Sequence, residues 1–166
     1  MASKKVILTQ KSALFFIRDQ DGATPVRLKN VESISGISAT RDQLPITDLD
    51  SDAHEYISGL AEGGTATIAL NFNPNEDSHA ELYESYLNGE TVEFALGWSD
   101  GTNEPATLEG AFVMPSEDRS FLVFDGNVTD CPFDFSTNSV VKLPVSVKLS
   151  GFPTLHVKAP ATVGGE

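Results

Sequence analysis

The chain has 166 residues, the length of one domain, and its 11 Lys and Arg against 24 Asp and Glu give a formal net charge of −13. This balance excludes a protein that binds nucleic acid or an anionic membrane through a basic surface. The single cysteine, Cys131, excludes an internal disulfide and a cysteine-based zinc site, and no segment approaches the roughly 20 apolar residues of a membrane span. We expect a chain that folds in a reducing cytosol, with one β domain over residues 1–153 and a tail over residues 154–166.

The acidic residues are concentrated in the middle of the chain. Between Arg41 and Arg119 there is no Lys or Arg, and residues 42–118 contain 17 of the 24 acidic residues. One interpretation is a solvated acidic surface. The other is attraction between copies, in which the acidic middle of one chain meets the basic N-terminal part of another, and such complementarity favours encounter and orientation more than affinity.

The first part of the chain has strand patterns followed by a polar segment. Residues 12–18 predict a strand, and Asp21-Gly22 predicts a turn. Residues 26–38 predict one broken strand. Residues 41–59 are polar, acidic and poorly periodic, which predicts a long loop that can contain a short extended piece at residues 45–49.

The middle of the chain has one clear strand and one helix. Apolar and polar residues alternate over residues 65–72, as a half-buried strand requires. A helix is predicted over residues 76–88, because Asn73 or Asn75 can cap its start and Gly89 suits a left-handed stop. Its apolar stripe is typical of a packing face and consists of Leu82, Tyr83, Tyr86 and Leu87.

Further strands follow the helix. Residues 91–98 alternate cleanly, and residues 105–114 are predicted to return as the partner strand of a hairpin. Residues 121–129 and 140–150 predict two more strands, the second lying at an edge or bulge at Pro144, which has no N–H. Six or seven strands and one helix predict a mainly β protein, an antiparallel β-sandwich or barrel with one flanking α-helix.

The sequence has no pattern that indicates catalysis or metal binding. His54, His79 and His156 have no metal-ligand spacing and are interpreted as surface or capping residues. The segment Asp48–Asp52 resembles the start of a calcium loop, but the required Gly and Glu positions hold other residues. Cys131 is expected to be an inert buried thiol. We therefore expect no catalytic residue, no metal, no cofactor and no enzyme activity.

Longer stretches resemble a known family. They are residues 31–72, the helix at residues 76–88, residues 91–101 (TVEFALGWSDG) and residues 124–153. The most typical pieces, in order, are Gly36-Ile37-Ser38, Arg41-Asp42, Thr47-Asp48, Tyr56-x-x-Gly59-Leu60 and Val147-Lys148-Leu149-Ser150-Gly151. In their order and spacing these pieces are similar to the tail tube (major tail) proteins of long-tailed bacteriophages, most like the tubes of non-contractile tails.

The resemblance implies a structural role. Members of the family have a β-sandwich-like domain with a flanking helix and assemble into hexameric rings, which stack into a hollow tube that conducts the viral genome. The implied location is the virion tail, after assembly in the bacterial host cytoplasm. The implied partners are other copies of the chain and the tail tip, tape-measure and terminator proteins. DNA would pass without specific binding, and no membrane is involved.

Stacked rings need a segment that reaches beyond the compact domain, and the polar segment from Arg41 to Gly59 is the candidate. In the family this region is also the inter-ring loop. The predicted inter-subunit loop residues are Arg41, Asp42, Asp48, Asp50, Asp52, Glu55 and Tyr56. The basic groups that they could meet on a neighbour are Lys4, Lys5, Lys11, Arg18, Arg27 and Lys29.

A tube that passes DNA needs a bore that does not bind phosphate. Residues on the polar faces of the predicted strands are candidates for the lining: Thr65, Thr67, Glu93, Thr107, Glu109, Ser146 and also Lys142 and Lys148. The alternative is that these residues face a neighbouring subunit or bulk water.

Two other functions stay open at this point. A virion-associated carbohydrate- or protein-binding β-module would use Trp98 or the Tyr residues as exposed platforms, but Trp98 alternates with Val92, Phe94 and Leu96, which favours burial. A secretion-needle subunit would share the tube fold and form secreted hexamers.

Overall fold

A computed structural model describes residues 6–18, 24–108, 111–113 and 119–158, which contain eleven strands and one helix. The strands are β1 (Ala13–Arg18), β2 (Val26–Leu28), β3 (Val31–Ser35), β4 (Ala39–Pro45), β5 (Tyr56–Gly63), β6 (Thr65–Asn71), β7 (Thr91–Gly97), β8 (Ala106–Leu108), β9 (Ala111–Val113), β10 (Phe121–Asp130) and β11 (Lys142–His156). The helix is α1 (Asp77–Asn88). The prediction of a mainly β protein with one helix is confirmed.

One antiparallel sheet of seven strands forms the body, in the order β2-β1-β7-β10-β11-β6-β3. Its two edge strands, β2 and β3, are consecutive in the chain and are separated only by Lys29 and Asn30. Asn30 has a φ of 56°, which permits this short turn. Because so short a link holds the two edges together at one end, the sheet curls into an open half-barrel.

The apolar core lies on one face of this sheet. Phe94 on β7 stacks on Phe124 of β10 with ring centroids 5.1 Å apart, and lies 6.3 Å from the ring of Phe16 on β1. Every second residue of the central strands joins them, as the alternation predicted: Ala66, Ile68, Leu70, Val92, Leu143, Val145, Val147 and Leu149. Trp98 follows β7 and is half-buried instead of fully buried.

The helix covers this core. Leu82 is buried in the core and Tyr83 and Tyr86 pack against it, so the predicted stripe is confirmed except for Leu87, which is exposed. Gly89 adopts the predicted left-handed conformation with φ 66°. The helix begins one residue later than predicted, and its N-cap residue, Glu76, makes no side-chain capping bond.

The predicted Asn caps are absent because both residues belong to the turn before the helix. The Asn73 side-chain oxygen accepts the N–H of Asn75 at 3.1 Å. His79 is buried rather than on the surface: its Nδ1 accepts the N–H of Asn73 at 3.0 Å, and its Nε2 donates to the Lys29 carbonyl at 2.8 Å. These partners define the neutral tautomer and tie the helix to the turn between β2 and β3.

The described residues of this segment, 105–108 and 111–113, do not pair with β7, so the predicted hairpin is wrong. The reason is that β7 already has β1 on one side and β10 on the other. Instead β8 and β9 pair with each other and lie over the second face of the sheet. There Phe112 packs on a smaller apolar cluster, which contains Ala13, Phe15, Ala95 and Phe121.

The last two strands are longer than predicted. β10 has register shifts against β11 between Val123 and Asp125 and between Val128 and Asp130, so the irregularity predicted near residues 125–126 is present. Pro144 pairs with Ala69 of β6, and β10 pairs with β11 only from Ser146 onward, so the strand has an open side there as expected. β11 continues to His156, three residues into the segment predicted as a tail.

Arg119 joins the loops at one end of the sheet. Its buried guanidinium donates hydrogen bonds of 2.6–3.3 Å to the backbone carbonyls of Lys11, Gly97, Trp98 and Asn103. Burial lowers the pKa of this side chain. A Cβ at Gly97 would collide with the guanidinium, which explains the glycine at this position. This contact could not be predicted from the sequence, because the partners are backbone carbonyls that come together only in the folded chain.

We expect Arg119→Met to lower the free energy of unfolding by about 2–4 kcal/mol, because the substitution leaves buried carbonyls without a donor. Urea denaturation followed by circular dichroism measures this loss. Lys158→Met is the matched control, since the exposed Lys158 ammonium donates to one described carbonyl, that of Asp100, at 3.2 Å. Its effect should stay within about 0.5 kcal/mol. A similar effect of both substitutions would contradict the role given to Arg119.

Candidate assembly surfaces

The polar segment predicted as a loop is a β-hairpin. β4 and β5 pair antiparallel from Ala39–Gly63 at the root to Pro45–Tyr56 near the tip, and we call residues 39–63 the arm. The prediction of an irregular loop over residues 41–59 is therefore wrong for residues 41–45 and 56–59, which are paired strands, and holds for residues 46–55. Nearly all of the arm is exposed on both faces, so neither of its strands has the buried face by which a strand is found in sequence.

The root of the arm is held tightly against the body. A Cβ at Gly63 would collide with the carbonyl oxygen of Leu149, so only glycine permits this approach. The Gly64 carbonyl accepts the N–H of Leu149 at 2.9 Å. Arg41 lies over the ring of Phe152 on β11, 4.7 Å from the centroid. The arm is thus fixed to β11 at its base and leaves the body as a defined element.

One face of the arm is apolar. Leu44 and Ile57 lie directly opposite each other, and Ile46 extends this face by one more pleat, since its N–H bonds to the Glu55 carbonyl at 2.9 Å. Each of these three side chains is about half exposed at 52%. We call them the apolar arm face. Leu60 is 88% exposed beside the register shift of the hairpin.

The opposite arm face is mostly polar. It carries the cross-strand pairs Gln43–Ser58 and Pro45–Tyr56. The Tyr56 ring is exposed and lies 6.5 Å from the ring of His54. Of the predicted loop residues, Tyr56 is therefore on the polar face.

Residues 46–55 form the arm tip. The Asp48 carboxylate accepts the N–H of Asp50 at 3.1 Å and the hydroxyl of Ser51 at 2.9 Å, and Thr47 Oγ1 accepts the N–H of Glu55 at 2.9 Å. Four predicted loop residues come together here, all exposed and without an ion pair to any described residue: Asp48, Asp50, Asp52 and Glu55. Leu49 at the tip is fully exposed.

Arg41 and Asp42 are separated from this cluster, because both lie near the root. Sequence reasoning found the acidic residues of the arm but missed its apolar face. Once the strands are paired, the pattern is visible as apolar residues at positions 44, 46 and 57, but the pairing itself is not visible in the sequence.

The lumen candidates lie on the face of the sheet opposite the core, which we call the polar sheet face. Ser146 pairs with Thr67, Lys148 pairs with Thr65, and Lys142 lies two pleats further along β11. Glu93 lies on the same face of β7, since its neighbours Val92 and Phe94 point into the core. Thr107 is in β8, part of the hairpin over the far end of this face. Glu109 lies outside the described residues.

Among the described residues, the lysines of this face form ion pairs, whereas the carboxylates of Glu93 and Asp125 do not. Lys142 pairs with Glu32 at 3.1 Å and Lys148 pairs with Glu62 at 3.4 Å. Glu93 lies directly across from Asp125 on β10. Glu93 is half-buried and Asp125 is exposed, and partial desolvation by the surrounding protein raises the pKa of both carboxyls. The Glu93 carboxylate also accepts the N–H of Phe112 at 3.3 Å, which ties β9 to the sheet.

The described residues contain no group of His, Cys, Asp and Glu side chains that could hold a metal ion. Burial, with a smaller contribution from Asp130, raises the pKa of Cys131 to about 12, so its thiol is protonated at neutral pH. Within the described parts of the chain, no helix has the length and apolarity needed to cross a membrane.

Asp125→Asn is expected to raise the free energy of unfolding at pH 7. A raised pKa means that the folded chain binds protons at a pH where the unfolded chain does not, so the contribution of Asp125 to stability grows as the pH falls from neutral through the raised pKa. The advantage of the variant should therefore shrink toward pH 4. Denaturation midpoints between pH 4 and 8 measure this, with exposed Asp52→Asn as the control. An advantage that is independent of pH would contradict the assignment.

Comparison with known proteins identifies the family to which this chain belongs. A family model described as phage tail tube, lambda-like, matches residues 5–159. Structural protein 3 of Pseudomonas phage PAJU2 is 37% identical over 164 residues, which cover 96% of this chain and 99% of that protein.

Solved structures show the same fold. The SPP1 tail tube has a TM-score of 0.67 at 8% identity, covering 93% of this chain and 81% of its own. The tail of a gene transfer agent particle, refined with C6 symmetry, has a TM-score of 0.58 at 14% identity, covering 85% and 93%. The sheath/tube terminator structure of an extracellular contractile injection system, PVC, has a TM-score of 0.63 at 12% identity, covering 93% and 99%. The family match and the curated relative both span nearly the whole chain, and the chain therefore belongs to the lambda-like family of phage tail tube proteins.

Proposed function

We propose that this chain assembles into six-membered rings that stack into a hollow tube, and that the arm makes the contact between rings. The observation that carries the proposal is the apolar arm face, in which Leu44, Ile46 and Ile57 are each 52% exposed. Exposed aliphatic residues side by side on a well-formed hairpin indicate a surface that is covered by another chain. The six-fold symmetry is taken from the related gene transfer agent tail.

Apolar burial contributes more to this contact than charge does. Fully burying one Leu or Ile side chain is worth about 1.5–3 kcal/mol, whereas an exposed ion pair is worth at most about 1 kcal/mol. The acidic residues first assigned to the loop therefore orient the contact, and the apolar arm face supplies most of its free energy. Around a ring of six, each contact is repeated six times, so weak single contacts add up.

The polar sheet face is proposed to line the bore. Its hydroxyls come from Thr65, Thr67 and Ser146, and its lysines are engaged by Glu32 and Glu62. Glu93 and Asp125 have no cation among the described residues. Such a surface offers DNA phosphates few free cations, so DNA can pass without being held.

The chain is proposed to be a structural component without enzyme activity. A single β domain with a short tail is proposed, and the domain includes β11 as far as His156. Assembly takes place in the bacterial host cytoplasm, and the product is part of the virion tail. Tail tip, tape-measure and terminator proteins are the proposed partners besides further copies of the chain.

A glycan-binding module is less well supported. Its aromatic platforms would need to be open and to lie together. Tyr56 is exposed but lies on the arm, whereas Tyr83 lies 5.8 Å from Tyr86 and 5.7 Å from Phe133, in an aromatic cluster between the helix and the loop before β11. Trp98 is half-buried at the end of the sheet that Arg119 closes.

Deletion of residues 48–55 is expected to block stacking and to leave a folded monomer, because these residues make hydrogen bonds only within the arm tip and its hairpin. Negative-stain microscopy of the purified chain, with its tail-tip complex as nucleator, measures tube length. Circular dichroism checks the fold. Tubes of normal length from the deleted chain would exclude this role for the tip.

The two faces of the arm should respond differently to a charge. Ile57→Asp places a carboxylate on the apolar arm face and is expected to reduce tube formation at least tenfold, since about 1.4 kcal/mol per contact suffices for that factor. Ser58→Asp changes the adjacent residue on the polar face and is the matched control, expected to polymerise nearly as the wild type. Equal effects of the two substitutions would show that the apolar face is not the contact.

A further inference from the structure

The open side of the half-barrel contains a cleft. It has a volume of about 710 Å³ and lies between the start of β1, β2 and the edge strand β3. Since β2 and β3 are joined by two residues but do not pair, the gap between the two sheet edges stays unfilled by backbone. We call this gap the edge cleft.

The floor of the edge cleft is apolar. It is lined by Leu28, Val31, Ile34 and Leu96, which belong to or pack against the main core. A cleft of this size accommodates several side chains of a partner.

The rim of the edge cleft is mainly basic. Lys11, Arg27 and Lys29 line it, and all three are exposed, whereas the one carboxylate among its described lining residues, Glu32, is paired with Lys142 at 3.1 Å. Neither Lys11 nor Arg27 makes an ion pair with any described residue, whereas Lys29 reaches Glu76 at 3.1 Å. In a chain with a net charge of −13, unpaired cations around one cleft are a distinctive feature.

The other basic groups considered for contact with the arm are less suitable. Arg18 is already bound by Glu90 at 2.8 Å and Glu84 at 2.9 Å, and these contacts raise its pKa further. Lys4 and Lys5 lie outside the described residues. Of the four basic candidates that the structure describes, three therefore lie at the edge cleft.

We propose that the edge cleft receives the arm tip of a second copy of this chain, with Leu49 entering the apolar floor and the tip carboxylates meeting Lys11, Arg27 and Lys29. This inference rests on the proposed function and names the surface on which the arm docks. The tip matches the cleft both in apolar surface and in charge. Its fully exposed Leu49 suits the apolar floor, and its four unpaired carboxylates suit the basic rim.

The geometry of the arm favours a second copy over the chain's own cleft. Beyond the hairpin itself, the strands of the arm contact mainly β11 near the root, and Leu49 is fully exposed. Seven residues of β4 at about 3.3 Å each span about 23 Å, so the tip lies well away from the strand that anchors it.

Charge reversal tests the proposal. Lys11→Glu with Arg27→Glu reverses the rim, and Asp50→Lys with Asp52→Lys reverses the tip without removing the side-chain hydrogen bonds of Asp48. The readout is tube formation by the full chain with its tail-tip complex, after circular dichroism confirms folding. Each double variant alone should polymerise at least about tenfold more slowly than the wild type, and the chain with all four changes should recover. Added salt should weaken the wild-type contact.

The control is Lys158→Glu, which reverses an exposed ammonium that is not among the lining residues of the edge cleft and changes the net charge as much as one rim substitution does, and its tubes should form normally. The proposal fails if reversal of the rim leaves polymerisation unchanged, if the four changes together do not restore it, or if the control is equally impaired. A wild-type chain that does not polymerise on its tip complex would instead overturn the proposed function itself.

Discussion

The backbone pairing of β11 is the interaction on which the body of the sheet and the arm both depend. This strand pairs with β10 on one side and β6 on the other, and so joins the two halves of the sheet. It also holds the arm, through the Gly64–Leu149 hydrogen bond and the Arg41–Phe152 contact. Because one strand carries both the sheet and the arm, the direction of the arm is set by the fold of the body.

Prediction from the sequence succeeded where burial is one-sided. Alternation over residues 65–72 and 91–98 located β6 and β7, and Gly89 located the end of the helix, since each pattern follows from local backbone and core geometry. It failed for the arm, which has no buried face in this chain. It also missed Arg119, whose partners are carbonyls that come together only in the folded protein.

The candidate site was predicted in part for the same physical reason. Acidic residues are visible in a sequence, so the tip carboxylates were found, and the polar positions on β6 and β11 were found from alternation. The apolar arm face and the edge cleft arise from the pairing of strands and from edges that do not pair. Both depend on tertiary structure, and both lie where one copy would meet another.

The glycine at the arm root has a consequence for the dimensions of an assembly. Since Gly63 admits no side chain against Leu149, the root of the hairpin is held at a fixed position on β11. In a stacked tube the axial repeat would then be set by the number of residue pairs between Gly63 and the arm tip, at about 3.3 Å per residue. Relatives with longer or shorter hairpins would have proportionally different ring spacings, so the number of residue pairs in the arm would set the distance from one ring to the next.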